Sequence, residues 1–286
     1  MTTKQSLIKN GAGKDSVLQA DQTGEQLQCS RSMVVPQQHV CGITDVGKMR
    51  PTNEDAMYCS ADGRILIVAD GMGGQAAGGL ASSLSVEATR EIIEAGCLRC
   101  PTNNADSAIS LLVSAVAGAQ ERILQGSSIN NEWKGMGSTL LIAWIVRNQI
   151  YVAHVGDVRC YVLNKCGLEQ ITQDHSLVAQ LVRDGHLLPE DARDHPQKGV
   201  IYRAIGMNKA ADPDISQRVL QDGDRILLCS DGLWEVVSDE EIGEVLGSDG
   251  SARQLATVLV DRANARGGPD NITVVVYEYS AEARTL

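Results

Sequence analysis

Ile65-Leu66-Ile67-Val68-Ala69-Asp70-Gly71-Met72-Gly73-Gly74 is an apolar run that ends on an acid and a group of glycines. It has strand length, and Asp62-Gly63, a favoured hairpin dipeptide, joins it to a preceding strand from Ala56 to Cys59. Beyond it, Leu80, Leu84, Ala88 and Ile92 recur every four residues, which predicts a helix with Gly96 as its stop. Ile109, Leu112, Val113, Val116 and Ile123 repeat the pattern before Gly126. The chain thus passes from sheet to a pair of helices instead of alternating one strand with one helix. That order argues against a doubly wound parallel sheet and predicts an α+β layered fold.

Outward from this stretch, His39 to Ile43 reads as a further strand. On the other side Leu140 to Val146, Ile150 to Val155, Cys160 to Leu163 and Leu168 to Ile171 read as an antiparallel meander. Leu177, Val178, Leu181 and Val182 predict a helix ended by Gly185. The stretch His186 to Asn208, with Pro189, Pro196, Gly199 and Gly206, reads as an irregular insertion. Ile226 to Cys229 and Ile272 to Tyr277 are strands, and Ser238 with Glu241 and Ser251 with Gln254 are capping boxes opening two helices. Met1 to about Pro36 follows neither period. The expected organisation is a loose leader over residues 1–36, one domain over 37–280 and a short tail over 281–286.

With 43% hydrophobic and 21% charged residues in 286, the chain has the composition of a globular domain. No apolar run approaches the ~20 residues of a membrane span, and the N-terminus lacks a basic-then-apolar signal pattern, so no membrane partner and a cytoplasmic location are expected. A net charge of −11 repels phosphate backbones, so nucleic acid is not an expected partner. Eight cysteines are too few for a disulfide scaffold at this length.

The chemistry is carried by carboxylates at strand ends. Asp70-Gly71 ends one strand, Asp231-Gly232 follows another, and Asp270-Asn271 precedes the last. Each Asp-Gly alone is more often a turn than a ligand, and Asn53-Glu54-Asp55 alone is a solvated acidic turn. Jointly they offer the oxygen donors that Mg²⁺ or Mn²⁺ require, and Arg50, four residues before Glu54, adds a fork for phosphate oxygens. The glycine run is not a P-loop, for it lacks a Lys-Ser or Lys-Thr ending, and it lacks GxGxxG spacing. Cys97 and Cys100 have CxxC spacing without a second zinc pair, and His154, His175 and His195 receive no catalytic role.

Eight ordered blocks between Val40 and Tyr279 resemble the type-2C metal-dependent protein phosphatases (PPM), bacterial type. They are Asp45 to Asp55, Val68 to Gly74, Met136 to Thr139, His154 to Arg159, Asp174 to Val178, His195 to Gln197, Leu228 to Leu233 and Gly267 to Thr273. The resemblance implies a four-layer αββα fold, in which a central antiparallel β-sandwich is flanked by helix pairs. It implies two Mn²⁺ or Mg²⁺ ions, with Asp70 bridging both, the Gly71 carbonyl and Glu54 on the second, and Asp231 and Asp270 on the first. Asp157, with Asp231, would serve a third ion, Asp55 would stand behind the ligands, and Arg50 would bind the substrate phosphate. Residues 183–206 would be a flap beside the site.

The implied activity is hydrolysis of phosphoserine and phosphothreonine on proteins by metal-activated water attack on phosphorus. The expected partners are phosphorylated substrates of a Ser/Thr kinase, and the expected state is a monomer. Three positions depart from patterns common in the family. Met72 stands where many eukaryotic members carry His and supplies no proton, Val158 replaces a usual Ser, and Gln75 a usual His. Two other readings stay open: a phosphatase for a small phosphoester, and a silent module that binds a phosphoprotein.

Overall fold

The strand that opens the sequence reading, β4 (Ile65–Met72), is apolar without alternation because both of its faces are covered. Leu66 and Val68 point into a core shared by two sheets, whereas Ile65, Ile67 and Ala69 point into a core shared with helices. The computed structural model describes residues 31–37, 39–73, 77–99, 105–207 and 211–281. Leader residues 1–30, Gln75, Cys100 of the CxxC pair and residues 282–286 lie outside the described residues.

One sheet has the spatial order β1 (Arg31–Gln37), β2 (Val40–Asp45), β12 (Ile272–Glu278), β11 (Arg225–Cys229), β8 (Arg159–Asn164), β9 (Gly167–Gln170). The other runs β10 (Asp214–Val219), β7 (Gln149–Val155), β6 (Leu140–Val146), β4, β3 (Asp55–Cys59), with the short β5 (Gly137–Ser138) paired to the end of β4. Every pairing is antiparallel. Val40, Leu141, Val152, Cys160, Leu228 and Val275 fill the space between the sheets.

Helices α1 (Ala77–Arg99) and α2 (Ala105–Ile129) cover the second sheet, where Ile93, Leu112 and Ile123 meet Ile67 and Ile142. Helices α5 (Asp239–Gly247) and α6 (Ala252–Ala265) cover the first, where Ile242, Leu246 and Leu259 meet Ile43, Leu227 and Val274. Both of the latter open with the expected capping boxes, on Ser238 with Glu241 and on Ser251 with Gln254. The short α3 (Leu177–Arg183) and α4 (Asp231–Trp234) lie beside the site described below.

Several expectations are corrected. Gly96 and Gly126 do not stop their helices but lie inside them, because each lets a neighbour approach. A Cβ on Gly96 would stand 2.5 Å from Leu111, and one on Gly126 2.9 Å from Met136. The expected meander is split: β6 and β7 stay in one sheet, and the chain crosses at Gly156, at φ 111°, to place β8 and β9 in the other. The last part of the expected leader, from Arg31 to Pro36, belongs to the edge strand β1, which pairs its backbone with β2. Strand β10 gave no apolar signal because it too is an edge strand, with mostly exposed side chains. Among the described residues α2 is long and apolar enough to cross a membrane, contrary to the reading of the sequence. Its Leu112, Val116, Ala119 and Ile123 are fully buried against α1 and the sheet, which accounts for that apolarity.

Candidate metal centre

The site lies where β4, β7, β11 and β12 have their ends, and the local backbone explains how each acid gets there. Asp70 is clamped through its own peptide: its N–H donates to Thr139 Oγ1 (2.9 Å) and its carbonyl accepts from Thr139 N (2.8 Å) and Ser138 Oγ (3.0 Å). Gly71 then passes so close to α1 that a Cβ would stand 2.0 Å from the Gly78 carbonyl oxygen. Gly232 is constrained alike, since its Cβ would stand 2.0 Å from the Asn271 carbonyl oxygen. Neither glycine has a positive φ. These Asp-Gly pairs are therefore close-approach positions that carry Asp70 and Asp231 inward, not turns.

Arg50, Glu54, Asp70, Gly71, Asp157, Asp231 and Asp270 line one cavity of about 500 Å³. Asp55 lies behind it, directly opposite Asp70 in the β3/β4 register. Its Oδ2 accepts from Thr273 Oγ1 (2.6 Å) and Ser230 Oγ (2.8 Å), while its buried Oδ1 has no donor among the described residues. Arg50 is on the exposed rim and donates to Asp270 Oδ2 at 2.6 Å. The structure thus brings the expected phosphate-binding group into the site, but seated on a carboxylate.

The charges are poorly balanced. Burial, and then the neighbouring carboxylates of Asp55, Asp231, Asp157 and Asp270, push the Asp70 carboxyl well above the usual range. Burial followed by Asp157, Asp270 and Asp55 does the same to Asp231. Burial and Asp174 raise Asp157 to about 7, and burial raises Asp55 to about 6 against the pull of its two hydroxyl donors. Like charges placed opposite one another destabilise a sheet unless something positive stands between them.

The donor set fits a hard divalent cation. All of its donors are oxygens, and the buried Asp231 Oδ1 has no hydrogen-bond partner among the described residues. A Cβ built on Gly78 would meet Glu54 Oε2 at 2.4 Å and the Gly71 carbonyl oxygen at 2.9 Å, so these two oxygens face one point that only glycine leaves open. Among the described residues no three acidic, His or Cys side chains meet at the spacing of a closed coordination shell. The carboxylates stand around the cavity, spread as like charges are.

Sequence reasoning missed the residues that hold this arrangement. Asn271 Nδ2 donates to the Val46 and Thr52 carbonyls and its Oδ1 accepts from Glu54 N, which pins the Arg50–Glu54 loop to β12. Its place beside Asp270 in the Asp-Asn pair was the available signal. Ser230 and Thr273 also bond each other's strands, Thr273 N donating to Ser230 Oγ. Lys198 lines the cavity from the irregular segment, where no motif marked it. His175 Nδ1 accepts from Gly156 N at 3.0 Å, tying the root of that segment to the turn that carries Asp157.

Comparison with known proteins gives a consistent result. A family model described as protein phosphatase 2C matches residues 50–271. The serine/threonine phosphatase Stp of Listeria monocytogenes is 37% identical over 238 residues, covering 82% of this chain and 93% of that protein. The crystal structure of the Mycobacterium tuberculosis serine/threonine phosphatase PstP/Ppp superposes with a TM-score of 0.77 at 36% identity, covering 84% of this chain and 98% of that one. The PstP catalytic domain in complex with two manganese ions superposes with a TM-score of 0.75 at 34% identity, covering 87% and 99%.

Proposed function

This chain belongs to the protein phosphatase 2C family, and from that premise we propose that it hydrolyses phosphoserine and phosphothreonine on proteins at the centre described above. The observation that carries the proposal is the set of uncompensated carboxylates sharing one cavity with Arg50. The family is metal-dependent. Asp70 would hold two ions, Asp231 and Asp270 the first, Glu54 and the Gly71 carbonyl the second, and Asp157 with Asp231 would serve a third. Bound there, Mn²⁺ or Mg²⁺ supplies the Lewis acidity that makes an attacking water nucleophilic near neutral pH and offsets charge on the phosphoryl oxygens.

The chain's own residues position the reactants. Ser138 and Thr139 fix the Asp70 backbone, and Asp55, held by Ser230 and Thr273, backs the Asp70 carboxylate. Arg50 keeps one amino group on Asp270, and its other donors are on the open rim for phosphate oxygens. Met72, at the cavity wall, cannot protonate the departing alkoxide, so solvent entering the cavity supplies that proton. The segment 183–206 acts as a flap at the mouth, contributing Lys198 and Gly199 to the wall.

The substrates on this reading are phosphoproteins made by a Ser/Thr kinase, and the enzyme works as a cytoplasmic monomer without nucleic acid or membrane. The test is phosphate release from phosphothreonine peptides with Mn²⁺ and none with a chelator. Cleavage of p-nitrophenyl phosphate without cleavage of any phosphopeptide would point to a small-phosphoester enzyme, and no release from either to a silent binding module.

A further inference from the structure

A second cavity, of about 630 Å³, lies between β8, α3, α4 and the flap segment. It is contiguous with the metal centre, because Lys198 and Glu235 line both cavities and their ion pair (2.8 Å) forms the partition. Four cationic side chains line it: Arg159, Arg183, Arg193 and Lys198. In a chain of net charge −11 such a concentration is unusual.

These cations are not equivalent. Arg159 is neutralised by a forked ion pair with Asp174 (2.7 and 3.0 Å) and lies 3.7 Å over the Trp234 ring. Lys198 is matched by Glu235, and Asp239, the remaining acid, is bonded by Tyr161 and stands 3.8 Å from Arg159. Among the described residues Arg183 donates only to neutral oxygens, the Asp174 carbonyl and the Tyr202 hydroxyl. Arg193 likewise donates to the Trp234 and Val237 carbonyls. Among the described residues neither makes an ion pair, and both are exposed at the cavity. These bonds orient the two guanidinium groups while leaving their charge and further N–H donors unmatched, an arrangement suited to a carboxylate or phosphate.

We propose that this cavity binds a second anionic side chain of the substrate, phosphorylated or acidic, on the same polypeptide as the phosphoresidue held at the metal centre. The site thereby selects acidic or multiply phosphorylated segments. The inference rests on the phosphatase reading for its substrate. The shared partition supplies the link between the two cavities, and the volume lies in the range of built ligand pockets.

The test compares three phosphothreonine peptides on the full chain with Mn²⁺: one with neutral flanks, one with glutamates in the flanks, and one with a non-hydrolysable phosphonate as the second anion. The glutamate and phosphonate arms separate the two sources of charge. Arg183→Gln and Arg193→Gln keep a donor for the carbonyl oxygens and remove the charge, and Arg193→Lys restores charge alone. The expected result is about tenfold higher kcat/KM for at least one anionic peptide, carried by KM and weakened by salt. The double Gln variant should abolish that preference, Arg193→Lys should recover part of it, and kcat/KM for p-nitrophenyl phosphate should stay unchanged in all variants. Equal kcat/KM for the three peptides in the wild type, or a preference that survives in the double variant, overturns the inference and leaves the phosphatase reading intact. A second readout is anisotropy of the labelled peptides without turnover. Arginine-dependent binding of the anionic peptides in a chain that hydrolyses none of them overturns the phosphatase reading while supporting the anion site.

Discussion

The two ends of β4 carry the same dipeptide in opposite roles. At the hairpin end Gly63 takes φ 68°, and the Asp62 carboxylate accepts from Ser60 Oγ (2.6 Å) and Arg64 N (3.1 Å) and pairs with the Arg64 guanidinium. At the cavity end Gly71 is ordinary in φ but pressed against α1. There the Asp70 carboxylate makes no ion pair among the described residues and is surrounded by other acids. The hairpin end satisfies its polar groups within the fold. The cavity end keeps its backbone satisfied and its carboxylates in excess, the mark of a site shaped for an external cation.

The largest effect that separates the two ends is on turnover. Asp231→Asn, which removes a carboxylate from the cavity, is expected to lower kcat for phosphopeptides by at least about 100-fold. The same change should not lower the melting temperature of the metal-free protein, because it deletes one member of a repelling group. Asp62→Asn at the hairpin end should leave kcat unchanged. A fully active Asp231→Asn would remove the basis for assigning the cavity.

Next comes the backbone. Gly232→Ala forces a Cβ into the Asn271 carbonyl, an overlap no rotamer can relieve, and should cost about 3 kcal/mol with loss of activity, read from urea unfolding and phosphate release. Cation binding should have an effect of similar size. Mn²⁺ at 100 times its Kd is expected to stabilise the protein by about 2.7 kcal/mol. That gain should grow with pH. Asp55 and Asp157, raised to about 6 and about 7, stay protonated in the metal-free fold below those values. Their contribution is therefore present below the unfolded carboxylate pKa of ~3.9 and lost as pH rises to about 7. A cation takes the place of the proton on Asp157 and, through Asp70, favours the ionised form of Asp55 behind it, so melting temperatures with and without Mn²⁺ should diverge from pH 5 to pH 8. His154, buried and lowered to about 3, acts with the opposite sign on both forms and drops out of the difference. Curves that stay parallel would refute a carboxylate-based cation site.

How much of this was legible in the sequence follows from what each residue answers to. Strands buried on both faces, such as Ile65 to Ala69, advertise themselves by unbroken apolar runs, and the boxes at Ser238 and Ser251 specify their helices locally. Edge strands β1 and β10 are held by backbone pairing, and the side chains of β10 are mostly exposed, so no apolar run reports them. Glycine was the most ambiguous letter. Gly185 at φ 73° does end α3, whereas Gly96 and Gly126 serve contacts with Leu111 and Met136 that lie elsewhere in the chain. For the site, the acids were visible through their blocks. The side chains that hold them, Ser230, Thr273 and Asn271, were not read out, because their hydrogen bonds span 41 to 229 residues of sequence. The unpaired charge of Arg193 depends likewise on where α4 happens to stop.

The smallest effect returns to the hairpin end and isolates conformation from contact. Gly63 is left-handed but has room: a Cβ there would approach Tyr277 at 3.2 Å and Val40 at 3.3 Å, both side chains that can shift by tenths of an ångström. Gly63→Ala should therefore cost about 1 kcal/mol, the ordinary penalty of a left-handed non-glycine residue, with kcat unchanged. Gly63→Asn, which tolerates that conformation better and can bond its own turn, should recover part of the loss. A Gly63→Ala penalty equal to that of Gly232→Ala would mean that the hairpin is packed as tightly as the cavity wall. The contrast between a glycine kept for its φ and one kept for the space beside it would then fail.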